Sequence, residues 1–224
     1  RKLSFPTITK PIPYVYYTRE EAEKGSNIEI EKELEKKVPE SITTTYPLVY
    51  IQSGQNGGFA FGNNVAIKYV MAKGDFEYAW LLNNDTVIES DSLTTMREIF
   101  KDKSIGIVGS ALLIYDEPNL LQVLGGTEKL SWINAGQGKY IYPRKTYTQE
   151  LQKNFEIPGY IVGASMLIKK EIFQNVGLFD ENYFMWAEET DFCFRTSKKG
   201  YKLYCCGTSK VYHKEGASSG QGEI

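Results

Sequence analysis

Asn83, Asn84 and Asp85 follow directly on the apolar run Tyr78 to Leu82. In open α/β sheets ligands gather at the carboxyl ends of strands, so polar residues in this place face a substrate. A carboxylate flanked by amides can hold a divalent ion while leaving positions open for phosphate oxygens, which suits Mg²⁺ or Mn²⁺. Asn and Asp also favour turns for backbone reasons, and the segment alone reads equally well as a turn. His213, the only histidine of the chain, ends the short run Val211-Tyr212. A lone histidine is usually structural, yet its imidazole becomes a metal ligand once the fold brings one acidic partner close.

A second group of acids follows bulky aromatics in the stretch Phe179 to Asp191. On a helix Glu188 and Asp191 share a face and Glu189 points to a neighbouring one. The helix dipole alone explains part of this crowding. Aromatic walls such as Trp186 beside carboxylates also suit a sugar, whose apolar ring face stacks while a carboxylate takes a hydroxyl proton. Gln55 to Asn64 holds Gly57, Gly58 and Gly62 and reads as a strand-to-helix turn whose free N–H groups could meet an anion. It has neither the spacing of a dinucleotide fingerprint nor the lysine of a phosphate loop, and a tight structural turn explains it as well.

The elements that must position these residues alternate from Pro47 onward in the manner of an α/β domain. Strands are expected at Leu48 to Ile51, Tyr78 to Leu82, Ile105 to Val108, Gly163 to Ile168, Lys202 to Cys206 and Lys210 to His213. The run Tyr78 to Leu82 is too continuously apolar to be half exposed, which predicts a place in the middle of the sheet. Helices are expected at Asn63 to Lys73, ended by Gly74, and at Asp91 to Lys101 with Leu93, Met96, Ile99 and Phe100 inward. A short helix should end at Gly177, and another should run from Glu188 to Lys199 with Gly200 as its cap. Gly125 to Tyr147 reads as a loop or small hairpin, and Gly216 to Gly222 as flexible tail. Residues 1–46 read as a charged peripheral insertion before a core at 47–224. Pro6, Pro11 and Pro13 interrupt it, and Arg19 to Lys37 should form one solvated helix, striped by Ile30, Leu34 and Val38 and stopped by Pro39.

With 26 basic and 28 acidic residues interspersed, the net charge of −2 leaves no broad basic field for a phosphate backbone, which argues against nucleic acid as a partner. Cys193, Cys205 and Cys206 lack metal-type spacing and read as free thiols of a reducing cytosol. No apolar run reaches the roughly 20 residues of a membrane span. A cytoplasmic protein is expected, and docking at the inner face of a membrane is compatible with it.

In order and spacing these segments resemble the family 2 glycosyltransferases, in particular their rhamnosyl- and galactofuranosyltransferase branch, from about Val49 to Ser219. Asn56 to Asn64 is similar to that family's glycine-phenylalanine turn and Leu81 to Thr86 to its aspartate-containing metal motif. Gly159 to Ala164 resembles the acceptor-side loop, Gly177 to Arg195 the stretch ending in the base motif, and Val211 to Gly220 the metal-binding histidine segment. The resemblance implies a GT-A fold with a mostly parallel central sheet flanked by helices. It also implies an Mg²⁺- or Mn²⁺-dependent, inverting transfer from a nucleotide-diphosphate sugar, dTDP-rhamnose or a UDP-hexose, to a glycan or lipid-linked acceptor. Asp85, His213 and Asn83 would bind the metal, with Asn83 standing where the motif's first acid lies. Asn56, Gly57, Gly62, Asn63 and Asn84 would bind donor, Glu189 would be the base and Asp191 a second acid, with Gly163, Ala164, Trp186 and Glu188 on the acceptor side.

The family's two opening strands, which hold base and ribose, are not visible, so the chain looks cut at its N-terminus. Glu189 stands where aspartate is more usual. A non-catalytic module that binds a sugar nucleotide or polysaccharide is the main alternative. A nucleotidyltransferase would need a Gly-rich basic loop near its start, and none is seen.

Overall fold

Short apolar runs separated by amphipathic segments do pair into sheets with helices packed on them in the computed structural model, which describes residues 14–25, 27–36, 48–128 and 139–214. The expectations on Pro6, Pro11, Pro13, Val38, Pro39 and the tail 216–222 lie outside those residues. The chain divides into two compact units, Arg1–Phe76 and Glu77–Ile224.

The first unit differs from the single solvated helix expected before residue 47. Strand β1 (Tyr14–Thr18) runs parallel to β2 (Leu48–Gln52), with Val15 opposite Val49 and Tyr17 beside Ile51. Between them come α1 (Arg19–Glu23), closed by a capping box between Thr18 and Glu21, and α2 (Ile28–Glu35), capped by Asn27. Strand alternation buries Val15 and Tyr17 with Ala22 and Tyr69, and leaves Tyr14, Tyr16 and Tyr50 exposed. The strand itself carries no charge; it is hidden because it is only five residues long, between Pro11 and Pro13 on one side and the charged tract from Arg19 on the other. Helix α3 (Gly58–Lys73) begins five residues earlier than periodicity predicts and ends at Gly74 in the left-handed conformation. Gly62 and Asn63 therefore belong to the helix and not to the turn before it.

A buried carboxylate fastens this unit. Glu31 is 2 % exposed. It accepts from Tyr17 Oη at 3.0 Å, Tyr69 Oη at 2.8 Å and Lys73 Nζ at 2.6 Å. Burial by itself would raise the Glu31 carboxyl, but Lys73 and the two phenols outweigh it and hold it below the usual carboxylate range.

The second unit is a sheet in the order β3-β8-β5-β9-β4. Its strands are β3 (Tyr78–Leu82), β4 (Thr86–Ile88), β5 (Ile105–Ile114), β6 (Leu121–Leu124), β7 (Asn154–Glu156), β8 (Ser165–Lys169) and β9 (Lys202–His213). The α/β class holds, but the mostly parallel sheet that was expected is mixed. Among the described residues of this unit only β5 with β9 is parallel, and β3/β8, β5/β8, β4/β9, β5/β6 and β7/β9 are antiparallel. Of the antiparallel pairs only β5/β6 joins strands consecutive in the chain, so the direction of the others is set by contacts between distant segments and not by tight turns. Strand β3 is not central as expected. Among the described residues it pairs on one side only, and Tyr78, Ala79 and Trp80 are half-buried.

Helix α4 (Ser92–Ile99) places Met96 and Ile99, followed by Phe100, against Ile105, Val108, Leu167 and Cys206, while Leu93 stays exposed. Each such buried side chain contributes about 1.5–3 kcal/mol. Helix α5 (Lys170–Asn175) is followed by Gly177 at φ +94°, and α6 (Glu188–Lys198) by Gly200 at φ +89°. Phe192 of α6 stacks on Phe173 and Phe179. The two expected strands 202–206 and 210–213 are halves of β9, with Gly207 to Ser209 set out of register against β5. Thr127 bridges Tyr140 antiparallel, the pairing of a hairpin, with 129–138 outside the described residues. The three cysteines are free and buried.

Lys73→Met strands the Glu31 charge and should destabilise the first unit by about 3 kcal/mol, read as faster amide exchange in β1 and α3. The Glu31 contribution is present above the normal carboxylate range and is lost as pH falls below it, because its folded pKa is depressed.

Candidate active site

The second unit gathers two groups of polar side chains at one place in the fold. The first forms where β3 ends and β4 begins. Thr86 pairs with His213 across β4 and β9, so the residue before β4, Asp85, meets the last residue of β9. Asp85 Oδ1 stands 3.1 Å from His213 Nε2, with side-chain exposures of 8 % and 11 %. Asn83 presents its amide nitrogen to the same Nε2 at 3.3 Å, and Gln122 Oε1 of β6 lies 2.8 Å from Nδ1. The turn is stiffened by Thr86 Oγ1 donating to Asn83 O at 2.7 Å and by the Lys214 N–H donating to Asp85 O at 3.1 Å. Asn84 projects outward from this turn and is exposed.

Asp85 Oδ1 is buried and has no hydrogen bond. A buried carboxylate oxygen without a partner is costly, and a cation relieves that cost. The donors are one carboxylate oxygen, one imidazole nitrogen and, after rotation of its amide, Asn83 oxygen. That set fits Mn²⁺ or Mg²⁺ with the remaining positions left to phosphate oxygens and water. Among the described residues no cluster of three or more His, Cys, Asp and Glu side chains stands within ligating reach, so any such ion would be held by few protein charges.

The second group opens α6. Trp186 at φ +69° and Ala187 at φ +73° are consecutive non-glycine residues in the left-handed region. Such backbone costs about 1–3 kcal/mol each and persists where the surroundings enforce it, often at functional sites. Trp186 is 76 % exposed, and Phe184 and Met185 beside it are exposed as well. Directly afterwards Glu188 is buried, and one oxygen of Glu188 and one of Glu189 are shut away from solvent with no hydrogen bond. Burial, with the Glu188 charge next to it, pushes the Glu189 carboxyl up to about 7, against the smaller opposing pull of N–H groups at Glu189 and Gly163. Burial raises Glu188 also. Asp191 is differently placed. It accepts from Arg195 Nε at 2.7 Å, and the same guanidinium donates to Val176 O and Leu178 O, so Arg195, held by Asp191, clamps the loop before α6. It is engaged with Arg195, whereas Glu189 keeps a free oxygen.

The two groups are joined through Gly163-Ala164. The Asn83 N–H donates to Ala164 O at 3.2 Å, and the neighbouring Gly163 N–H donates to the Glu189 carboxylate. The sequence-derived candidates Asn83, Asp85, His213, Gly163, Ala164, Glu188 and Glu189 thus belong to one connected site. Asn56, Gly57, Gly62 and Asn63 belong to the first unit. There Asn56 Oδ1 accepts from the Gly58 N–H, and Asn63 turns back to Phe59 O within α3. Sequence reasoning missed Gln122, whose one signal is a single polar residue inside the apolar run Leu121 to Leu124.

Comparison with known proteins gives this geometry a setting. The chain is 24 % identical over 170 residues to the low-salt glycan biosynthesis hexosyltransferase Agl10 of Haloferax volcanii, covering 74 % of this chain and 52 % of the relative. It is 28 % identical over 168 residues to the rhamnosyltransferase WbbL of Escherichia coli, covering 70 % and 60 %. An N-acetylglucosaminyl-diphospho-decaprenol L-rhamnosyltransferase of Mycobacterium tuberculosis is 34 % identical over 76 residues, 34 % of this chain and 25 % of that one. The chain therefore spans about half to three-fifths of the first two relatives. Among solved structures, GalNAc-T7 with UDP, GalNAc and Mn²⁺ superposes with a TM-score of 0.57 at 14 % identity, over 90 % of this chain and 43 % of that one, which supports the GT-A type of fold. No helix among the described residues is long and apolar enough to cross a membrane. A family model described as glycosyltransferase like family 2 matches residues 26–223, and the chain belongs to that family.

Proposed function

We propose that this chain is the core of an inverting glycosyltransferase that moves a sugar from a nucleotide-diphosphate donor to an acceptor hydroxyl, with Glu189 as base. The observation that carries the reading is the Gly163-Ala164 joint, which ties a carboxylate of raised pKa to the Asp85–His213 pair. Ionised Glu189 takes the proton from the acceptor hydroxyl, and that oxygen attacks the anomeric carbon. The bond from this carbon to the diphosphate oxygen breaks, its electron pair leaves with the diphosphate, and configuration inverts. Asp85 and His213, with Asn83, would hold a divalent ion whose charge offsets that of the departing diphosphate. Burial, with the Glu188 charge beside it, keeps the base pKa near neutrality, and the exposed Trp186 offers a face for an acceptor sugar ring. Asn56, Gly57, Gly62, Asn63 and Asn84 are proposed on the donor side and Asp191 as the residue that holds the α6 entry in place.

The names of the similar proteins favour rhamnose or a hexose as the sugar and a glycan or lipid-linked acceptor. A second reading, binding of a sugar nucleotide without turnover, draws on Asn83 standing in place of an acid beside so few protein charges. Titration calorimetry with UDP and with dTDP, each with Mn²⁺ and with EDTA, tests donor class and metal together. Absence of metal-dependent binding to either nucleotide would count against both readings.

Asp85→Ala should weaken Mn²⁺-dependent nucleotide binding tenfold or more, on the scale of about 1.4 kcal/mol per decade. Glu189→Gln should keep binding within about twofold and slow transfer by roughly 10²–10⁴. Normal turnover by this variant would remove Glu189 as the base. For the unaltered chain kcat/KM should fall about tenfold per pH unit below about 7 and level off above it, because the base must be ionised. The folded Glu189 pKa is raised, so its proton stabilises the fold at low pH and that contribution is lost as pH rises through about 7. Glu189→Gln should therefore raise Tm on the order of 5 °C at pH 8 and by much less at pH 5.

A further inference from the structure

His213 has two ring nitrogens, and the one left without a proton decides what it can bind. Its Nδ1 is 2.8 Å from Gln122 Oε1, an atom that can only accept. That contact requires the proton on Nδ1. The other side of the ring agrees with this. Asn83 aims an amide N–H at Nε2 from 3.3 Å, which suits a bare nitrogen and would oppose an Nε2–H. Asp85 Oδ1, although 3.1 Å from Nε2, receives no hydrogen bond from it.

The backbone around Gln122 supports a dedicated placement. In the β5/β6 ladder Leu112 faces Val123 and Leu113 faces Leu121, so the register skips Gln122. A bulge of this kind re-aims one side chain out of the normal alternation, and bulges concentrate beside active sites. Leu121, Val123 and Leu124 are all buried in the core, whereas Gln122 is half-buried and turned to the imidazole. Gln122 is the one polar residue of this strand, and its side chain hydrogen-bonds the imidazole.

We propose that Gln122 is the positioning residue of the Asp85–His213 pair, holding His213 in its Nδ1–H form so that Nε2 and Asp85 Oδ1 meet a divalent cation with two unshared electron pairs. The metal part of this inference rests on the function proposed above, while the ring assignment rests on the hydrogen bonds alone. A partner behind a ligating histidine fixes its tautomer and ring plane, and its loss weakens metal binding by roughly 10- to 100-fold in comparable sites.

Because His213 is the only histidine, long-range ¹H–¹⁵N correlation on the full chain labelled with ¹⁵N-histidine reads its protonation without ambiguity. At pH 8 the unaltered protein should show a protonated Nδ1 and a bare Nε2. Gln122→Leu should lose that preference at a Tm close to that of the unaltered chain, and Gln122→Glu, which keeps an accepting oxygen, should retain it. Affinity for Mn²⁺ alone, followed by the EPR signal of the free ion, should drop about tenfold in Gln122→Leu and stay within about threefold in Gln122→Glu. An unaltered ring protonated on Nε2, alone or together with Nδ1, overturns the proposal. So does a Gln122→Leu chain with the same ring form, or one with unchanged Mn²⁺ affinity. If the unaltered chain shows the expected ring and takes up no Mn²⁺, the metal role fails and the positioning of His213 by Gln122 stands.

Discussion

Everything in the candidate site depends on where β9 lies. This 12-residue strand runs parallel to β5 along one edge and antiparallel to β4 along the other. Parallel pairing with β5 brings the end of β9 level with Ile114, and the β4 ladder sets His213 opposite Thr86. With both edges engaged, the strand cannot slip by one residue without turning every side chain to the wrong face. The alternation of β9, with Lys202 and Thr208 exposed next to buried Leu203 and Ser209, makes such a slip expensive. The Asp85–His213 contact is thus a consequence of register, and it needs no attraction of its own to form.

The same register is reinforced by buried hydroxyls. Trp80 Nε1 donates to Ser165 Oγ, which is hydrogen-bonded to Ser110 Oγ, and Ser209 Oγ donates to Ser110 Oγ. This chain of polar groups crosses β3, β8, β5 and β9 inside an apolar core, where any unpaired member would be costly. It accepts only one relative alignment of those strands. The out-of-register residues Gly207 to Ser209, which break β9 into the halves seen in the sequence, are what bring Ser209 to that chain.

Chemical potential in the second unit is stored as unsatisfied polar groups. Among the described residues of the second unit, Asp85, Glu188 and Glu189 each keep a buried side-chain oxygen without a hydrogen-bond partner. Glu31 in the first unit is the contrast: as buried as Glu188, it has two phenols and an ammonium group and holds strands and helices together. Two carboxylates of similar burial therefore differ in role through their partners. Asp191 differs from both in having one oxygen held by Arg195 Nε.

The sequence by itself determined the alternation of elements, the capping glycines Gly74, Gly177 and Gly200, and which acids and histidine were candidates for the site. These depend on local physics: periodicity, left-handed backbone and residue chemistry. It also carried the family resemblance, since motif order along the chain survives without coordinates. Only the tertiary structure decided that β1 exists, that β3 pairs on one side among the described residues, and that most neighbours are antiparallel, because strand partners are chosen by contacts between residues far apart in the chain. Composition cannot distinguish Glu189 from Asp191 or Glu31 either, as hydrogen-bond partners and burial set a carboxylate's charge and availability. Gln122 was invisible for the same reason: its meaning lies in a bulge and in an imidazole 91 residues away.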